Sequence, residues 1–516
     1  MKAYLLYRDR DFSMHREAEW DEPALVQDLE LNTLYQAMAQ GDAFLFDVVK
    51  RVVPVSCIEL DEITYRQAIL NDCINHETTV RQLYAIAFEA IETERKSYYS
   101  FFSSSASSVL YGAREMIQQF VVVLRTLRTV ADAQAGQFQS EGFAQFFSMI
   151  QHELTDEYFV TIRHSLKALK FGDGVLISAG LGTGNKGISY VLRKPHEKDP
   201  NLLKRLLAKR SPSLTFRIAD RDENGARALA ELEARGINLV ANALAQSVDH
   251  ILSFFTMLRT ELAFYLGCVN LHNELTRRNL VTCVPGPRER IERGHVVEGL
   301  YDASLALRIG RAPVGNDVHG DGKELIVITG ANQGGKSTFL RALGLAQIMM
   351  QSGMFVTAAS FSANVCDGIF THYKREEDAS MKSGKLDEEL KRMSEIVDHI
   401  KEHALLLCNE SFAATNEREG SEIARQIIVA LLQKRVKIVF VTHLYALAHG
   451  LYDQKTQGMM FLRAERRLDG VRTFRLTEAE PLQTSYGEDL YARIFLSQRD
   501  EEAHGESASA DLSKVG

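Results

Sequence analysis

A glycine-rich segment at residues 325–340, LIVITGANQGGKSTFL, has the residue types and spacing of a phosphate-binding loop. It fits the pattern G-x-x-x-x-G-K-[ST], with an apolar run before it and the start of a helix after it. In such loops backbone N–H groups surround the phosphates, the lysine reaches the terminal phosphate oxygens and the serine hydroxyl binds Mg²⁺. The segment therefore predicts a site for a nucleoside triphosphate and Mg²⁺. Its predicted contacts are Gly330, Ala331, Asn332, Gln333, Gly334, Gly335, Lys336, Ser337 and Thr338, with Ser337 as a metal ligand.

The apolar run at 404–408 ends in Asn409 and Glu410, and we expect it to be a strand next to the phosphate strand. Nucleotide hydrolysis needs a metal-organising group and a group that activates water at such a place. Glu410 is predicted to polarise the attacking water. The position before it usually carries Asp for Mg²⁺, whereas Asn409 offers one uncharged carbonyl oxygen and is a weaker ligand for a hard cation. Because Mg²⁺ often keeps several waters, Ser337 and Asn409 remain the predicted metal residues.

A second polar strand end is predicted at Thr442-His443, after the run KIVFV. In this arrangement His443 is predicted to sense the γ-phosphate or to hold the attacking water. The alternative is a structural histidine, which is the more common role of a lone histidine at a strand end.

Composition limits the kind of protein. The 516 residues predict several domains, and no run of about 18 apolar residues indicates a membrane span. The start, MKAYLLYRDRDF, lacks the apolar stretch of a secretory signal, and six scattered cysteines without C-x-x-C argue against a disulfide framework and a zinc site. We therefore expect a cytoplasmic protein that makes no membrane contact. The net charge is −8, so any nucleic-acid surface must be local.

Helical periodicity dominates most of the chain before residue 285. It predicts one amphipathic helix over 28–52, long helices over 63–99 and 107–134, and a helical return over 223–278. A rod-like scaffold and a compact bundle both remain open. After the prolines near 285, the runs at 325–329, 404–408, 437–442 and 459–463 alternate with helical patterns, which favours a largely parallel sheet. The last residues are predicted to form a disordered tail.

A small β-rich insertion separates the two helical parts. Its glycines predict a hairpin followed by a strand at 214–220. Gly182, Gly184 and Gly187 spell G-x-G-x-x-G, but the sequence after them looks like a strand, whereas a dinucleotide site needs a helix there. The basic run at 193–210 is either a solvated face or a phosphate-contacting surface. The predicted contacts to the DNA backbone are Lys186, Arg193, Lys194, Lys204, Arg205, Lys209 and Arg210.

Several motifs resemble the MutS family of DNA mismatch-repair ATPases. TGANQGGKST is similar to that family's TGPNMGGKST, with Ala331 and Gln333 in place of Pro and Met, and NESFAATNEREGSEIA aligns without gaps to its DEIGRGTSTYDGLSLA. The similarity is specific over about 300–490 and mainly architectural over about 25–290. Further matching elements are Arg66-Gln67, Asn316-Asp317, Thr442-His443 and Ser485-Tyr486-Gly487.

The resemblance implies a multidomain fold in which a long α-helical core and lever region carries an inserted small β-rich clamp. An α/β P-loop ATPase domain of the ABC type follows. We expect these limits: 1–170 core and first lever, 171–220 clamp-like insertion, 221–285 returning lever, 290–497 ATPase domain and 498–516 tail. The resemblance also implies ATP hydrolysis and a homodimer that encircles DNA, in which Thr415 and Asn416 complete the partner's nucleotide site.

Three departures from the family pattern alter these expectations. The mismatch-reading domains have no room ahead of the helical part, and no Phe-x-Glu occurs in the sequence, so we expect no reading of single mispairs. Asn409 replaces the metal-site Asp, so hydrolysis is expected to be slow. FAATN replaces GRGTS where the partner's γ-phosphate would be touched, although Asn416 could still donate to a phosphate oxygen.

Two functions stay open at this point. The first is a clamp-like, dimeric ATPase whose nucleotide state controls DNA binding in repair or recombination. The second is a nucleotide-gated switch of the same fold that hydrolyses ATP weakly and acts through protein partners. A small-molecule P-loop kinase is a distant third, because nothing like a substrate lid follows the sheet.

Overall fold

Helices dominate the first half of the molecule, and strands alternate with helices in the second. The computed structural model describes residues 1–16, 18–98, 105–171, 174–194, 214–375, 384–467 and 471–483. Its helices are α1 (Glu22–Asp28), α2 (Leu31–Ala39), α3 (Ala43–Val52), α4 (Leu60–Asn75), α5 (Glu77–Tyr98), α6 (Ala106–Gln134), α7 (Glu141–Glu153), α8 (Asp156–Ala168), α9 (Glu223–Arg277), α10 (Ala303–Ile309), α11 (Lys336–Gln351), α12 (Lys385–His399), α13 (Glu417–Gln433) and α14 (Tyr445–Tyr452). Its strands are β1 (Ile177–Leu181), β2 (Gly187–Leu192), β3 (Gly286–Arg288), β4 (His295–Leu300), β5 (Asn316–His319), β6 (Leu325–Gly330), β7 (Ser360–Asn364), β8 (Ile369–Tyr373), β9 (Leu405–Asn409), β10 (Lys437–Val441), β11 (Met459–Arg466) and β12 (Arg472–Glu478).

A six-stranded sheet carries the phosphate loop, in the order β12-β11-β6-β10-β9-β8. The strands from β11 to β8 are parallel, and β12 pairs antiparallel with β11 at the edge. The four predicted strands are confirmed as β6, β9, β10 and β11. The prediction that β9 is next to the phosphate strand is wrong, because β10 lies between β6 and β9.

Helices cover this sheet on both faces, which explains the unbroken apolar runs of its strands. On one face, alternate strand residues such as Val327 and Phe440 pack against apolar residues of α12, α13 and α14. On the other face, α11 approaches so closely that a Cβ on Gly344 would lie 2.6 Å from Leu407 Cδ1. Glycine at position 344 therefore sets the distance between α11 and the sheet.

A second, four-stranded sheet has the order β3-β7-β4-β5 and was not predicted. Its strands are short, and its pairing is mixed, with β3 parallel to β7 and the other pairs antiparallel. Strands of three to six residues leave little periodicity in the sequence, and β3 and β7 pair although they lie about 75 residues apart. The structure is thus a helical part plus mixed α/β sheets, which agrees with the predicted fold class at this level.

The buried side chain of Arg66 joins α4 to the α/β part. Its Nε donates to Leu6 O at 2.9 Å and its Nη1 to Ser352 O at 3.4 Å, while Gln67 Nε2 donates to Pro285 O at 3.0 Å. A Cβ on the neighbouring Gly353 would lie 2.3 Å from Arg66 Cβ, so this position requires glycine. The two residues that the resemblance marks in the helical core are therefore bonded to backbone carbonyls here.

By contacts, the chain divides into two units. The first comprises Met1–Tyr4, Thr78–Gln139 and Phe143–Leu262 and is built of long helices with one hairpin. The second comprises Leu5–Glu77, Ser140–Gly142 and Ala263–Gly516 and contains both larger sheets. The predicted domain limits stay a prediction.

The long helices agree only partly with the periodicity. The helices predicted over 107–134 and 223–278 are confirmed as α6 and α9, which has 55 residues. The single helix predicted over 28–52 is wrong, because the chain turns at Glu30 and Gln40, which have left-handed φ angles of 53° and 48°. Asp42 then caps α3 by accepting hydrogen bonds from two backbone N–H groups. The helix predicted over 63–99 is likewise split, at His76.

The predicted hairpin is confirmed as the antiparallel pair β1–β2. A strand follows Gly187, so the G-x-G-x-x-G match lacks the helix that dinucleotide binding needs. The strand predicted at 214–220 is wrong, because that segment has no regular structure. Lys204, Arg205, Lys209 and Arg210, the Ser485-Tyr486-Gly487 element and the predicted tail lie outside the described residues.

Among the described helices, α9 is long and apolar enough to cross a membrane by length and composition. Its most apolar 18-residue window has a mean hydropathy of 1.2, and 67% of that window is buried inside the protein. A mostly buried core helix of a soluble protein meets the same criteria, so this finding is weak evidence for a membrane span.

The only tryptophan of the chain, Trp20, lies just before α1. It is 42% exposed, and its ring centroid lies 4.5 Å from that of His399 at the end of α12. The ring of Phe370 of β8 also lies near it, with a centroid distance of 6.2 Å. Trp20 therefore contacts β8 and the C-terminal end of α12.

Candidate nucleotide site

The phosphate loop connects β6 to α11 and packs tightly against β11. Gly330 and Gly335 have positive φ angles of 113° and 92°. A Cβ on Gly330 would lie 2.8 Å from Ala464 N, and one on Gly334 would lie 2.8 Å from Ala331 O and Ala464 Cβ. The glycines are therefore needed both for the backbone conformation and for the close approach of the loop to β11.

The first turn of α11 offers free backbone N–H groups to an anion. Gly335 precedes the helix and supplies no side-chain cap, so the first N–H groups have no side-chain acceptor at the cap. Around them, Ala331 is buried, Asn332, Gln333 and Ser337 are exposed and Thr338 is half-buried. The predicted contact residues thus surround one helix terminus.

Lys336 is bonded to its own loop. It is 4% exposed, and its Nζ donates to Gly330 O at 2.9 Å and to Ala331 O at 3.1 Å. Burial lowers the pKa of the Lys336 ammonium, the charge of Glu410 acts in the opposite direction, and that of Arg472 adds to the lowering. An anion that replaces the two carbonyl acceptors would therefore stabilise the charged form of the ammonium.

Ser337 and Asn409 meet across the sheet edge, as the metal prediction requires. Ser337 Oγ donates to Asn409 Oδ1 at 2.9 Å. Both are oxygen donors of the type that Mg²⁺ takes, and the charge for such an ion would come from phosphates because neither residue is ionised. Among the described residues no three His, Cys, Asp or Glu side chains form a metal cluster. The pair fits a metal that is shared with a nucleotide.

Glu410 and His443 lie at the ends of adjacent parallel strands. His443 Nδ1 is 3.7 Å from Glu410 Oε1, and Glu410 N donates to Val441 O at 2.9 Å. The pKa of the Glu410 carboxyl lies below its usual value, because the His443 ring interacts with it and the charges of Lys336 and Lys374 favour the ionised form, while burial opposes this shift. Glu410 is therefore a carboxylate near neutral pH, as a base must be.

The central position of β10 brings the two strand ends to the loop. Thr442 N donates to Ile328 O of β6 at 3.0 Å, and Thr442 Oγ1 accepts from Leu444 N at 3.0 Å. Gly330, Thr442 and His443 line one cavity of about 310 Å³. His443 thus faces the phosphate loop, whereas Thr442 is bonded to the backbone of its own turn.

A buried histidine holds the turn after Glu410. Glu410 and Phe412 have left-handed φ angles of 55° and 62°, and between them Ser411 Oγ lies 2.7 Å from His372 Nδ1. His372 Nε2 lies 3.0 Å from Glu389 O, and because a carbonyl oxygen only accepts, Nε2 carries the proton. Burial and the nearby charges of Arg392 and Arg375 lower the pKa of His372 to about 4, so the ring is neutral.

Two cationic residues of the site were missed by the sequence analysis. Lys374 follows β8, and its backbone N donates to Asn409 O at 3.0 Å. Arg472 of β12 places Nη1 3.3 Å from Gln333 Oε1 at the tip of the phosphate loop. Neither belongs to the loop motif, and neither β8 nor β12 was among the strands predicted from the sequence. The signal that finds them is strand pairing, which puts Tyr373 opposite Asn409 and β12 beside β11.

Comparison with known proteins supports the same assignment over most of the chain. The family model of the MutS2 N-terminal domain matches residues 58–278, and that of MutS domain V matches residues 326–498. This chain belongs to the MutS family. The resemblance found in the loop and strand-end motifs is thereby confirmed.

Curated MutS relatives match over parts of the chain. The DNA mismatch repair protein MutS of Thermus aquaticus is 30% identical over 197 residues, which are 36% of this chain and 24% of that protein. Endonuclease MutS2 of Streptococcus pneumoniae serotype 19F is 34% identical over 132 residues, 25% of this chain and 17% of that protein. MutS protein homolog 4 of Mus musculus is 33% identical over 138 residues, 27% and 14%. Each match covers a quarter or less of the relative's length.

The segment that MutS resemblance assigns to the partner's site forms a helix cap in this structure. Asn416 Oδ1 accepts from Glu419 N at 3.0 Å, Asn416 Nδ2 lies 3.2 Å from Glu419 Oε2, and Thr415 Oγ1 donates to the same carboxylate. Asn416 therefore caps α13, and its amide is bonded within its own turn. Its contact with a partner's phosphate stays a prediction.

The described candidates for MutS-type DNA contacts lie on the hairpin of the first unit. Lys186 is exposed in the turn before β2, and Arg193 and Lys194 are exposed just after that strand. Arg193 Nε donates to Ser178 Oγ at 2.9 Å. The structure thus places three of the seven predicted basic residues on one hairpin, and their role stays a prediction.

Proposed function

We propose that this chain is a DNA-binding ATPase of the MutS type whose nucleotide state controls its hold on DNA in repair or recombination. The carrying observation is the meeting of Lys336, the Ser337–Asn409 pair and the Glu410–His443 pair at one edge of a parallel sheet. Membership of the MutS family supports the DNA part of the proposal.

The chain's own groups suggest how hydrolysis proceeds. The N–H groups of the loop and of the first turn of α11 bind the phosphates, and Lys336 exchanges its two carbonyl acceptors for phosphate oxygens. Glu410, ionised and beside His443, accepts a hydrogen bond from the attacking water and orients it. Ser337 and Asn409 would hold Mg²⁺, which when bound neutralises charge on the phosphoryl oxygens.

The remaining features of the proposal concern assembly and location. We infer a homodimer in which Thr415 and Asn416 face the partner's nucleotide, and binding to the DNA backbone or to a DNA structure rather than to a single mispair. The exposed Lys186, Arg193 and Lys194 support a backbone contact. A cytoplasmic location is proposed as well, and the six free cysteine thiols are compatible with it.

One experiment tests the central proposal. ATP turnover and DNA binding are measured with no DNA and with duplex, mismatched, branched and single-stranded DNA at low salt. We expect at least one form to bind and to change turnover. Absence of binding to every form, with turnover that never responds, overturns the DNA part.

A second candidate is a nucleotide-gated switch with weak hydrolysis that acts through protein partners. The uncharged Asn409 at the metal position and the net charge of −8 favour it. This candidate expects ATP to be bound and retained with little turnover, and no DNA form to change either quantity.

A further inference from the structure

Positive charge lies on two sides of the phosphate loop. Lys336 lies in the loop, Arg472 acts on it from β12, and Lys374 acts on Glu410 from the end of β8. Glu410 is the carboxylate whose charge reaches both lysines. The metal-side position, where a second carboxylate is usual, holds the neutral Asn409.

Lys374 is fixed beside Asn409 by strand pairing. β8 and β9 are parallel with Tyr373 opposite Asn409, and the next backbone N–H, that of Lys374, donates to Asn409 O at 3.0 Å. The Lys374 side chain is exposed and forms no ion pair within the described part of the chain. Its charge acts on the Glu410 carboxylate, which follows Asn409, and also on Glu389 of α12.

Arg472 approaches from the opposite side. Asn316 holds β12 in place, because its Nδ2 donates to Phe474 O at 3.2 Å and its Oδ1 accepts from Leu476 N at 2.7 Å. On this fixed strand, Arg472 Nη1 lies 3.3 Å from Gln333 Oε1, and the buried Nε has no hydrogen-bond acceptor within the described residues. The guanidinium thus has donors left for an oxyanion at the loop.

An amide at position 409 removes one negative charge that would attract Mg²⁺, and Lys374 adds a positive charge in the same neighbourhood. Both changes weaken the attraction of the empty site for a divalent cation and strengthen it for a free triphosphate. A charged nitrogen donor also binds a phosphate oxygen more strongly than a neutral donor does.

We propose that Lys374 and Arg472 are nucleotide-binding residues that neutralise the triphosphate from two sides, so that this chain binds ATP without a divalent cation. This inference rests on the proposed function only in taking ATP as the ligand. Mg²⁺ then serves hydrolysis rather than binding.

The test is the dissociation constant of ATP measured by calorimetry in Mg²⁺ and in EDTA. For the native chain we expect the two values to agree within about threefold. Lys374→Ala and Arg472→Gln should each weaken binding in EDTA by about tenfold or more. Lys401→Ala removes an exposed lysine before the amino end of β9 and should leave both values unchanged.

Asn409→Asp is the converse test. Restoring the carboxylate should weaken binding in EDTA by about tenfold and leave binding in Mg²⁺ equal or tighter. Thermal melts establish that each variant is folded. The inference is overturned if the native chain binds ATP only with Mg²⁺, or if Lys374→Ala and Arg472→Gln bind like the native chain in EDTA. Failure to bind ATP in either condition overturns the proposed function as well.

Discussion

Several side chains that face the phosphate loop are already bonded to the protein. Lys336 donates to two loop carbonyls, Ser337 donates to Asn409, and His443 lies against Glu410. At these residues a nucleotide exchanges existing bonds, whereas Arg472 Nε has no acceptor within the described residues. Some of these residues act in ATP binding and others in turnover. Single substitutions can therefore separate the two steps.

Glu410→Gln should separate these two steps. The amide keeps the size of the side chain but cannot accept the proton of the attacking water, so turnover should fall by about 100-fold or more while ATP binding is retained. Turnover and the dissociation constant of ATP are measured on the same preparation. Glu422→Gln, which removes an exposed carboxylate of α13, is the control and should leave both unchanged. Native turnover in Glu410→Gln would remove Glu410 from its proposed role.

His372 should make the fold sensitive to acid. The unfolded chain takes up the proton of this residue below about pH 6.5, whereas the folded chain does so only near its lowered pKa of about 4. Stability is therefore lost as the pH falls from 6.5 to 4, by about 3 kcal/mol from this residue. Urea unfolding at several pH values measures this slope.

His372→Gln tests the assignment, because glutamine can bond to Ser411 but does not titrate. The slope of unfolding free energy against pH between 6.5 and 4 should become shallower. His319→Gln, which replaces an exposed histidine of β5, should keep the native slope. An unchanged slope in His372→Gln would show that other groups cause the acid sensitivity.

At the scale of elements, the tight packing of the phosphate loop on β11 can be tested with Gly330→Ala. The added Cβ would lie 2.8 Å from Ala464 N, and the backbone has a φ of 113°, so the loop must move. We expect a loss of about 1–3 kcal/mol of stability and much weaker ATP binding. Gly322→Ala is the matched control, because Gly322 also has a positive φ, of 71°, but its Cβ would meet nothing within 4 Å. Equal effects of both substitutions would contradict the packing argument.

Apolar runs and helical periodicity predicted those strands and helices whose pattern is visible within one segment of the sequence. The apolar runs of β6 and β10 and the long periodicity of α9 need no knowledge of the rest of the chain. Strand order, by contrast, depends on tertiary pairing, so nothing in the run at 404–408 shows that β10 separates it from β6. For the same reason the sequence did not show that Lys374 lies beside Asn409, because that position follows from the register of β8 and β9.

The motifs predicted residues that the structure brings together, but they did not predict the cationic residues beside them. Gly330, Lys336 and Ser337 stand at fixed spacings, and Glu410 and His443 end apolar runs, so all five were visible in the sequence. Asn416 shows the limit, because an amide can cap a helix or bind a phosphate. Its bonds to Glu419 are set by the helix that begins there.

At the scale of the whole molecule, the net charge of −8 means that DNA binding must depend on local basic groups. Replacing Lys186, Arg193 and Lys194 together by Gln should weaken binding about equally for all DNA sequences. The slope of log K against log salt should fall in magnitude by about 2–3, because each phosphate contact that is lost no longer releases counterions. Fluorescence anisotropy at several salt concentrations measures it.

The control for this prediction replaces three exposed lysines outside the hairpin by Gln. It should preserve the salt slope, because the same net charge is removed away from the proposed DNA contact. An equal change in both triple variants would show that overall charge, not the hairpin, governs DNA binding. The control residues are Lys401, Lys434 and Lys455.

The contact of Trp20 with His399 and Phe370 gives this protein a built-in optical probe. All tryptophan emission comes from this one ring, whose centroid lies 4.5 Å from that of His399. β8 connects Phe370 to Lys374, so a movement of β8 on phosphate binding would change the surroundings of the indole. We therefore expect that intrinsic tryptophan fluorescence can follow nucleotide titrations in Mg²⁺ and in EDTA, with no label attached to the site.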